Sequence, residues 1–255
     1  LPGFAASIDY YDIEIKNAIA TLEDQDYVDR CFAGETQLCS AIIRDADGFI
    51  QTVYVQPANV LAQRARGFDI ELSYTFPLSN LVASWTGDLS LRGMATYVDS
   101  LKTIDAGMVV EGAGVNADDM GTGAGNAMSS PRLRYLLSAT YNRDPFSVSM
   151  TMRGIGSGKY NNAFIECSSA CPPATPEHPT INNNHIDDVV YFDLAVEYRT
   201  FGGKAQAYLV AENVLDEDPP LIAGSRGNGF YAGQGNQDLY DRLGRIYRVG
   251  VRFNF

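Results

Sequence analysis

The sequence has no long run of apolar residues and comparatively few basic ones. No segment approaches the ~20 consecutive apolar residues that a transmembrane helix needs, so any membrane-spanning part must be a β-barrel. The 255 residues include 19 Lys and Arg against 31 Asp and Glu, which gives a net charge of −12 at pH 7. This acidic balance argues against nucleic acid or anionic lipid as a partner.

Patterns that carry catalysis or bind cofactors are also scarce. The only two histidines, His178 and His185, lie in one stretch of the chain, away from any strand that could hold a nucleophile. The segment Gly154 to Lys159 has the glycines of a phosphate-binding loop, but their spacing is wrong and Tyr160 stands where Ser or Thr would bind magnesium. The sequence therefore predicts a protein that is not an enzyme and has no cofactor or metal site.

What the sequence has instead is alternation, most clearly at its end. The last nine residues place a hydrophobic side chain at every second position, namely Tyr247, Val249, Val251, Phe253 and Phe255. Because side chains alternate between the two faces of a β-strand, one face of this strand is apolar and the other is small or charged. The ending resembles the closing strand of bacterial outer-membrane β-barrels, whose assembly machinery recognises a terminal Phe.

The same alternation recurs along the chain. Apolar residues occupy every second position in the segments 68–76, 133–141, 146–152 and 190–198, and Tyr11, Ile13 and Ile15 oppose Asp12, Glu14 and Lys16. Alternation alone fits a soluble β-sandwich as well as a membrane barrel. Segments of about ten residues or more with aromatic residues near their ends match a tilted span of the hydrocarbon layer. The sequence therefore predicts an all-β, transmembrane antiparallel β-barrel.

Eight spans are predicted, and the connections between them alternate in length. The predicted spans are 4–19, 66–77, 84–102, 131–143, 145–158, 188–200, 203–214 and 239–255. Short turns are expected at 77–80, 142–145 and 200–203, and long loops at 20–65, 103–130, 159–187 and 215–238. Outer-membrane barrels have short periplasmic turns and long outer loops, so the long loops are expected outside the cell. The strand-like run 49–56 is interpreted as an excursion within the first long loop.

All four cysteines fall in the predicted outer loops. Cys31 and Cys39 share the first loop, and Cys167 and Cys171 share the third. Passage through an oxidising periplasm favours two local disulfides. The alternative is a zinc site made of these thiolates and the nearby histidines, although the cysteine spacings are not those of compact zinc sites.

Several motifs resemble those of TonB-dependent outer-membrane transporters. The segment Ala211 to Pro220 is similar to the penultimate strand and the N-L-x-D-x-x-P corner of that family, and Gly67 to Tyr74 is similar to its G-x-D-x-E-x-x-Y strand. The segment Arg153 to Asn161 and the ending Tyr240 to Phe255 also look like that family. The resemblance covers residues 1–255 as the C-terminal part of the barrel domain, without the plug domain and the N-terminal strands.

The resemblance implies a fold, a function and partners. The fold would be about eight spanning strands of a plugged barrel of about 22 strands, and an open curved sheet when the segment is isolated. The function would be uptake of a siderophore, cobalamin or oligosaccharide across the Gram-negative outer membrane, driven by TonB through the plug. The further partners would be outer-membrane lipid and the barrel assembly machinery. Leu1 to Phe4 lacks the features of a secretory signal, so a mature product or a fragment is expected.

Ligand recognition is expected in the last long loop. Its candidates are Arg226, Phe230, Tyr231 and Tyr240, because aromatic residues and Arg dominate recognition surfaces. The main alternative is a self-contained eight-stranded barrel with a structural or adhesive role and an interior filled by side chains. The residues expected on the lumen side are small, which favours a wide lumen; they are Ser73, Thr75, Ser138, Thr140, Ser147, Ser149 and Thr151.

Overall fold

Eight long strands form one antiparallel sheet. The structure, a computed structural model, describes residues 2–22, 24–105, 108–117, 129–175, 178–222, 236 and 238–253. The long strands are β1 (Phe4–Thr21), β2 (Pro57–Pro77), β3 (Asp88–Asp105), β4 (Leu133–Arg143), β5 (Phe146–Ile155), β6 (Val189–Thr200), β7 (Ala205–Glu212) and β8 (Ile246–Phe253). Each strand pairs with the next one along the chain, so the sheet is a simple meander.

The strands confirm the eight predicted spans but move several boundaries. β2 begins at Pro57 and pairs with β1 as far as Thr21, so the first hairpin is longer than predicted. The turn predicted at 77–80 extends over residues 78–87, where Leu78–Asn80 forms a 3₁₀ turn and the Leu78 N–H donates to the Gly87 carbonyl at 2.9 Å. β3 therefore starts at Asp88 and not at 84.

The four long connections lie at one end of the sheet, which we call the loop end. We name them loop 1 (22–56), loop 2 (106–132), loop 3 (156–188) and loop 4 (213–245). Loop 1 holds the helices Asp24–Phe32 and Thr36–Cys39 and a hairpin of Ile42–Arg44 with Ile50–Val53. The strand-like run 49–56 is thus an excursion of loop 1, as predicted. In the part of the chain that the structure describes, no helix is long and apolar enough to cross a membrane.

The sheet is open. β1 and β8 stand at its two far edges, and their described residues do not pair with each other. A self-contained eight-stranded barrel would need these two strands to pair, since a barrel closes only when its first and last strands meet. The structure therefore favours the open sheet expected of a segment of a larger barrel.

Most exposed apolar residues of the eight strands share one face of the sheet, which we call the outer face. One row of opposed residues on this face, across β1 to β4, is Tyr10, Phe68, Tyr97 and Leu133. A second row, across β5 to β8, is Val148, Val196, Leu209 and Val249. Opposed residues of antiparallel strands lie on the same face. The alternation predicted for these strands is confirmed.

The opposite, inner face is rich in hydroxyl groups. The Ser and Thr residues that the sequence placed on the lumen side all lie on it, as the register shows. The Thr75 hydroxyl donates to the Ser90 hydroxyl at 3.0 Å, and the hydroxyls of Thr140 and Ser149 are hydrogen-bonded at 2.9 Å. Small hydroxyl side chains that bond across strands satisfy each other and protrude little from the wall.

The polarity of the two faces reverses towards the loop end of β1 and β2. Ile8 and Tyr10 lie on the outer face, and the same face continues with Asp12, whose carboxylate accepts two hydrogen bonds from Arg64 at 2.7 and 2.8 Å. Ile13 opposes Asp12 as predicted, but it continues the inner face of β1 and not the apolar outer face. A paired carboxylate on the outer face fits an aqueous surface, so the apolar part of the outer face on β1 ends near Tyr10.

Three aromatic rings cover glycines of neighbouring strands. The pairs are Tyr11 over Gly67, Tyr135 over Gly154 and Tyr208 over Gly250. A Cβ atom added at Gly154 would stand 2.0 Å from Cζ of Tyr135, and one at Gly67 would stand 2.5 Å from the Tyr11 hydroxyl oxygen. Because each ring fits only where the neighbouring strand has no side chain, these pairs fix the strand register.

Candidate functional site

A charged cluster lies on the inner face near the loop end of β5 and β6. The Arg153 guanidinium donates to both oxygens of Asp193, at 2.6 Å from Nε and 3.1 Å from Nη2. The same guanidinium lies 5.3 Å from the ring centroid of Tyr191. Its Nη2 atom is also 3.8 Å from Oδ2 of Asp241, in loop 4. Three groups, two from β6 and one from loop 4, therefore surround the guanidinium that β5 supplies.

The register of β5 and β6 builds this cluster. Tyr191 is directly opposite Arg153, and Asp193 is opposite Thr151, two positions along the same face. Diagonal neighbours on one face are within reach of a long side chain such as Arg. Tyr191 is 1% exposed, so the aromatic ring that supports the guanidinium is fixed in place.

The end of β7 is a corner organised by Asn213. The side chain of Asn213 donates to the Glu217 carbonyl and accepts from the Glu217 N–H, both at 2.9 Å, and its backbone N–H donates to Asp193 at 2.9 Å. Asn213 is fully buried and has φ of 48°. Asn suits this position because it offers both a donor and an acceptor and tolerates left-handed backbone. This corner is the motif that the sequence showed at residues 211–220.

Loops 2, 3 and 4 share a small apolar core above the inner face. Its buried residues are Ala117, Ile155, Ile186, Val189, Tyr191, Ile222 and Tyr240. Asn116 of loop 2 bonds to loop 3, through its N–H to the Lys159 carbonyl at 3.0 Å and its side chain to the Gly156 carbonyl at 2.8 Å. The Asn116 carbonyl accepts from the side chain of Asn236, in loop 4, at 3.1 Å. The three loops are thus joined into one unit.

A second anchor fixes loop 2 to the end of β3. The Glu111 carboxylate accepts hydrogen bonds from the Ser100 hydroxyl and the Leu101 N–H, both at 2.7 Å, and from the Ala113 N–H at 3.0 Å. Burial acts to raise the pKa of Glu111, but the three hydrogen bonds and the nearby Lys102 outweigh it, so the pKa lies below the ordinary glutamate value. Glu111 therefore holds loop 2 as a carboxylate.

The four cysteines form two disulfides within single loops. Cys31 is bonded to Cys39 in loop 1, and Cys167 to Cys171 in loop 3. Sulfur atoms paired in this way are not thiolates available to zinc. Loop 1 is held further by Tyr27, whose hydroxyl donates to the carbonyl and accepts from the N–H of Gln56, at 3.2 and 3.1 Å.

The outer face has aromatic residues at both borders of its apolar band. Near the turn end, the rings of Phe4 and Tyr74 are 6.2 Å apart, and Phe146 lies 4.9 Å from Tyr198. Towards the loop end, Tyr10 lies 5.1 Å from Phe68. Aromatic belts at both borders of an exposed apolar band are typical of a membrane-spanning sheet.

The last strand carries the residues predicted as an assembly signal. Tyr247, Val249, Val251 and Phe253 lie on the outer face and are exposed, Val249 at 77%. Phe255 lies outside the described residues. Recognition of this strand by the assembly machinery stays a prediction.

Of the predicted ligand contacts, only Tyr240 is among the described residues; Arg226, Phe230 and Tyr231 are outside them. Tyr240 is 3% exposed and belongs to the core between the loops, where burial raises the pKa of its hydroxyl. Its contact with a ligand stays a prediction.

Sequence reasoning missed Asn116 and Asp241 as members of this region, because no local pattern distinguishes them. Arg153 and Asp193 could have been found from alternation, which puts both on the polar face.

An exposed apolar outer face, a polar inner face and an open meander define this chain as a segment of transmembrane β-barrel wall. A family model described as "TonB dependent receptor-like, beta-barrel" matches residues 2–214. The chain therefore belongs to the TonB-dependent receptor β-barrel family, a family of transporters and receptors. No curated protein matches the chain in sequence.

Solved transporters show the same fold. The FrpB iron transporter from Neisseria meningitidis matches with a TM-score of 0.55 at 12% identity, over 98% of this chain and 29% of that chain. A mutant of the ferric enterobactin receptor PfeA from Pseudomonas aeruginosa matches with a TM-score of 0.56 at 16% identity, also over 98% and 29%. The chain thus spans about 29% of the length of these transporters.

Proposed function

We propose that this chain is part of an outer-membrane receptor that imports a scarce or bulky nutrient with energy delivered through TonB. In this proposal the sheet is a section of the barrel wall and its four long loops face the cell exterior. The protein binds and moves its cargo without chemical conversion. Residues 1–255 would be the C-terminal part of the barrel domain, and the plug would connect it to TonB.

The open edges of the sheet are the observation that carries this proposal. β1 and β8 each present a row of backbone N–H and C=O groups at the side where the described structure has no partner strand. In hydrocarbon each unsatisfied backbone group costs several kcal/mol, so a membrane-spanning sheet persists only when its edges are paired. Further strands between β8 and β1 would complete a wide barrel, with a lumen that needs a plug.

The joined loops support a role in capture. Loops 2, 3 and 4 share one core, and both disulfides lie in long loops, which suits the oxidising exterior. A preorganised surface binds a ligand with a smaller loss of conformational entropy than separate mobile loops would. Arg226, Phe230, Tyr231 and Tyr240 remain the proposed recognition residues of loop 4.

The uptake of labelled ligands by cells tests the proposal. The complete protein would be supplied to a Gram-negative strain that lacks its own copy, with and without an intact TonB system. Ferric siderophores come first, because the solved transporters of the same fold are named for iron; cobalamin and oligosaccharides follow. We expect uptake of one class that depends on both the protein and TonB. Uptake that continues without TonB, or no uptake of any class, would contradict the proposal.

A further inference from the structure

We propose that Arg153 is a latch that holds the end of loop 4 against the inner wall of the sheet. We call residues 238–245 the return limb, because they lead from loop 4 back into β8. The role that we give the latch, which is to keep the mouth of the lumen narrow, rests on the proposed function. The existence of the latch is argued only from the contacts of the limb with β5 and β6.

The limb lies on the inner face, and two polar contacts of Asp241 with the described strands show this. The Asp241 N–H donates to the Tyr191 hydroxyl at 3.3 Å, and the Asp241 carboxylate is 3.8 Å from the Arg153 guanidinium. Tyr191 and Arg153 face the lumen side of the wall, since they share the face of Ser149 and Thr151. The limb therefore folds inward over the wall.

The positive charge of Arg153 allows the carboxylates of Asp193 and Asp241 to lie close together. Its side chain stands between two carboxylates, those of Asp193 and Asp241, which are only 20% and 17% exposed. Carboxylates that are close together and poorly hydrated repel each other unless a cation lies between them. Without Arg153, Asp193 still lies on a strand and still accepts a hydrogen bond from the Asn213 N–H at 2.9 Å. Among the described residues, the Asp241 carboxylate then keeps only the Leu243 N–H, at 3.1 Å within its own loop. Loss of the cation would therefore displace Asp241, and with it the limb, rather than Asp193.

The apolar core above the latch also holds the limb. Tyr240 is 3% exposed within that core, and its hydroxyl is buried next to the Asn116 side chain. Burial of this ring stabilises the closed limb whether or not Arg153 is present. Removal of Arg153 is therefore expected to make opening of the limb more frequent without detaching the limb completely.

The other end of the limb is fixed at the corner after β7. The Arg245 N–H donates to the Asp216 carboxylate at 2.9 Å, and its guanidinium donates to the Val214 carbonyl at 3.1 Å. These contacts do not involve Arg153, so they remain when the latch opens. Arg245 is then a hinge, and Asp241 and Tyr240 are the parts that swing away from the wall.

A thiol reporter in the complete protein tests the latch. All four native cysteines of this chain are in disulfides, so Leu239→Cys adds one thiol, at a side chain that packs against the core between the loops. A membrane-impermeant maleimide is applied, and modification of the peptide that carries residue 239 is followed by mass spectrometry. We expect slow labelling with Arg153 present, and labelling about tenfold faster in Arg153→Gln, because a poorly hydrated carboxylate loses its cation.

A double variant shows whether faster labelling comes from an opened latch or from a general loosening of the sheet. Arg153→Gln with Asp241→Asn removes the repulsion between the two carboxylates, so labelling should return to within about threefold of the Leu239→Cys parent. Arg199→Gln, at the other end of the inner face of β6, is the matched control and should label as slowly as the parent. Unchanged labelling in Arg153→Gln, or equal labelling in the single and double variants, would overturn the latch. Failure to find a transported ligand would contradict the proposed function but would not change the labelling rates, so the two proposals are tested independently.

Discussion

At the scale of single residues, glycine and tyrosine act as pairs across strands. Gly67 belongs to a motif that the sequence showed, but the motif does not reveal that Tyr11, 56 positions earlier, covers it. Alternation is local and predicts which face a residue takes. The partner on the next strand depends on register, which no local pattern contains. For the same reason the sequence predicts that Arg153 faces the lumen but not that it meets Asp241.

Gly154→Ala should destabilise the sheet. Its new Cβ atom would stand 2.0 Å from the Tyr135 ring, which must turn away or shift β4. Overpacking of this kind costs about 1–3 kcal/mol, so the unfolding midpoint of the purified complete protein in denaturant should fall. Gly93→Ala is the matched control, because its Cβ atom meets flexible leucine side chains at 3.0 Å or more and should cost less. Equal effects of the two substitutions would contradict the role given to the Tyr135 ring.

At the scale of elements, the strands were easier to predict than the loops. β4, β5 and β6 each keep an apolar residue at nearly every second position, and their predicted boundaries nearly match those of the structure. The sequence predicts a loop at residues 57–65, the first part of β2, because these residues show no sustained alternation. They form a strand because β1 extends to Thr21 and pairs with them along this length.

The Glu111 anchor of loop 2 should respond to pH. Because the pKa of Glu111 is lower in the folded chain, its contribution to stability is full above the ordinary glutamate pKa and is lost as the pH falls through the lower folded value. Glu111→Gln removes this contribution. The difference in unfolding free energy between the parent and the variant should therefore be largest near neutral pH and shrink in acid. A difference that is independent of pH would contradict the carboxylate role.

The two disulfides should be found in protein isolated from the outer membrane. Digestion without reduction should yield one peptide with an internal Cys31–Cys39 bond and another with an internal Cys167–Cys171 bond. Reduction should raise the mass of each peptide by that of two hydrogen atoms and, in the intact protein, leave the sheet assembled, because both bonds lie within single loops. Free thiols at these positions, or zinc bound in a fixed ratio, would contradict the assignment of loops 1 and 3.

At the scale of the whole molecule, one sheet presents three environments. The outer face is apolar between two aromatic borders, the inner face is polar, and the loop end carries a joined unit of loops 2, 3 and 4. The composition and alternation of the sequence predicted the first two environments. The third depends on contacts between distant segments, such as Asn116 with Asn236, and was beyond the reach of sequence patterns.

The distance between the two edge strands in the membrane-embedded complete protein tests the central claim most directly. Spin labels would be placed at Ile8 on β1 and Val249 on β8, both on the exposed outer face, and their separation measured by pulsed electron paramagnetic resonance. If the chain is a wall segment of a wide barrel, six strands lie between the labels. The separation should then be several times the ~4.8 Å spacing of paired strands. A separation typical of adjacent paired strands would show that β1 closes onto β8 in a small barrel and would contradict the account.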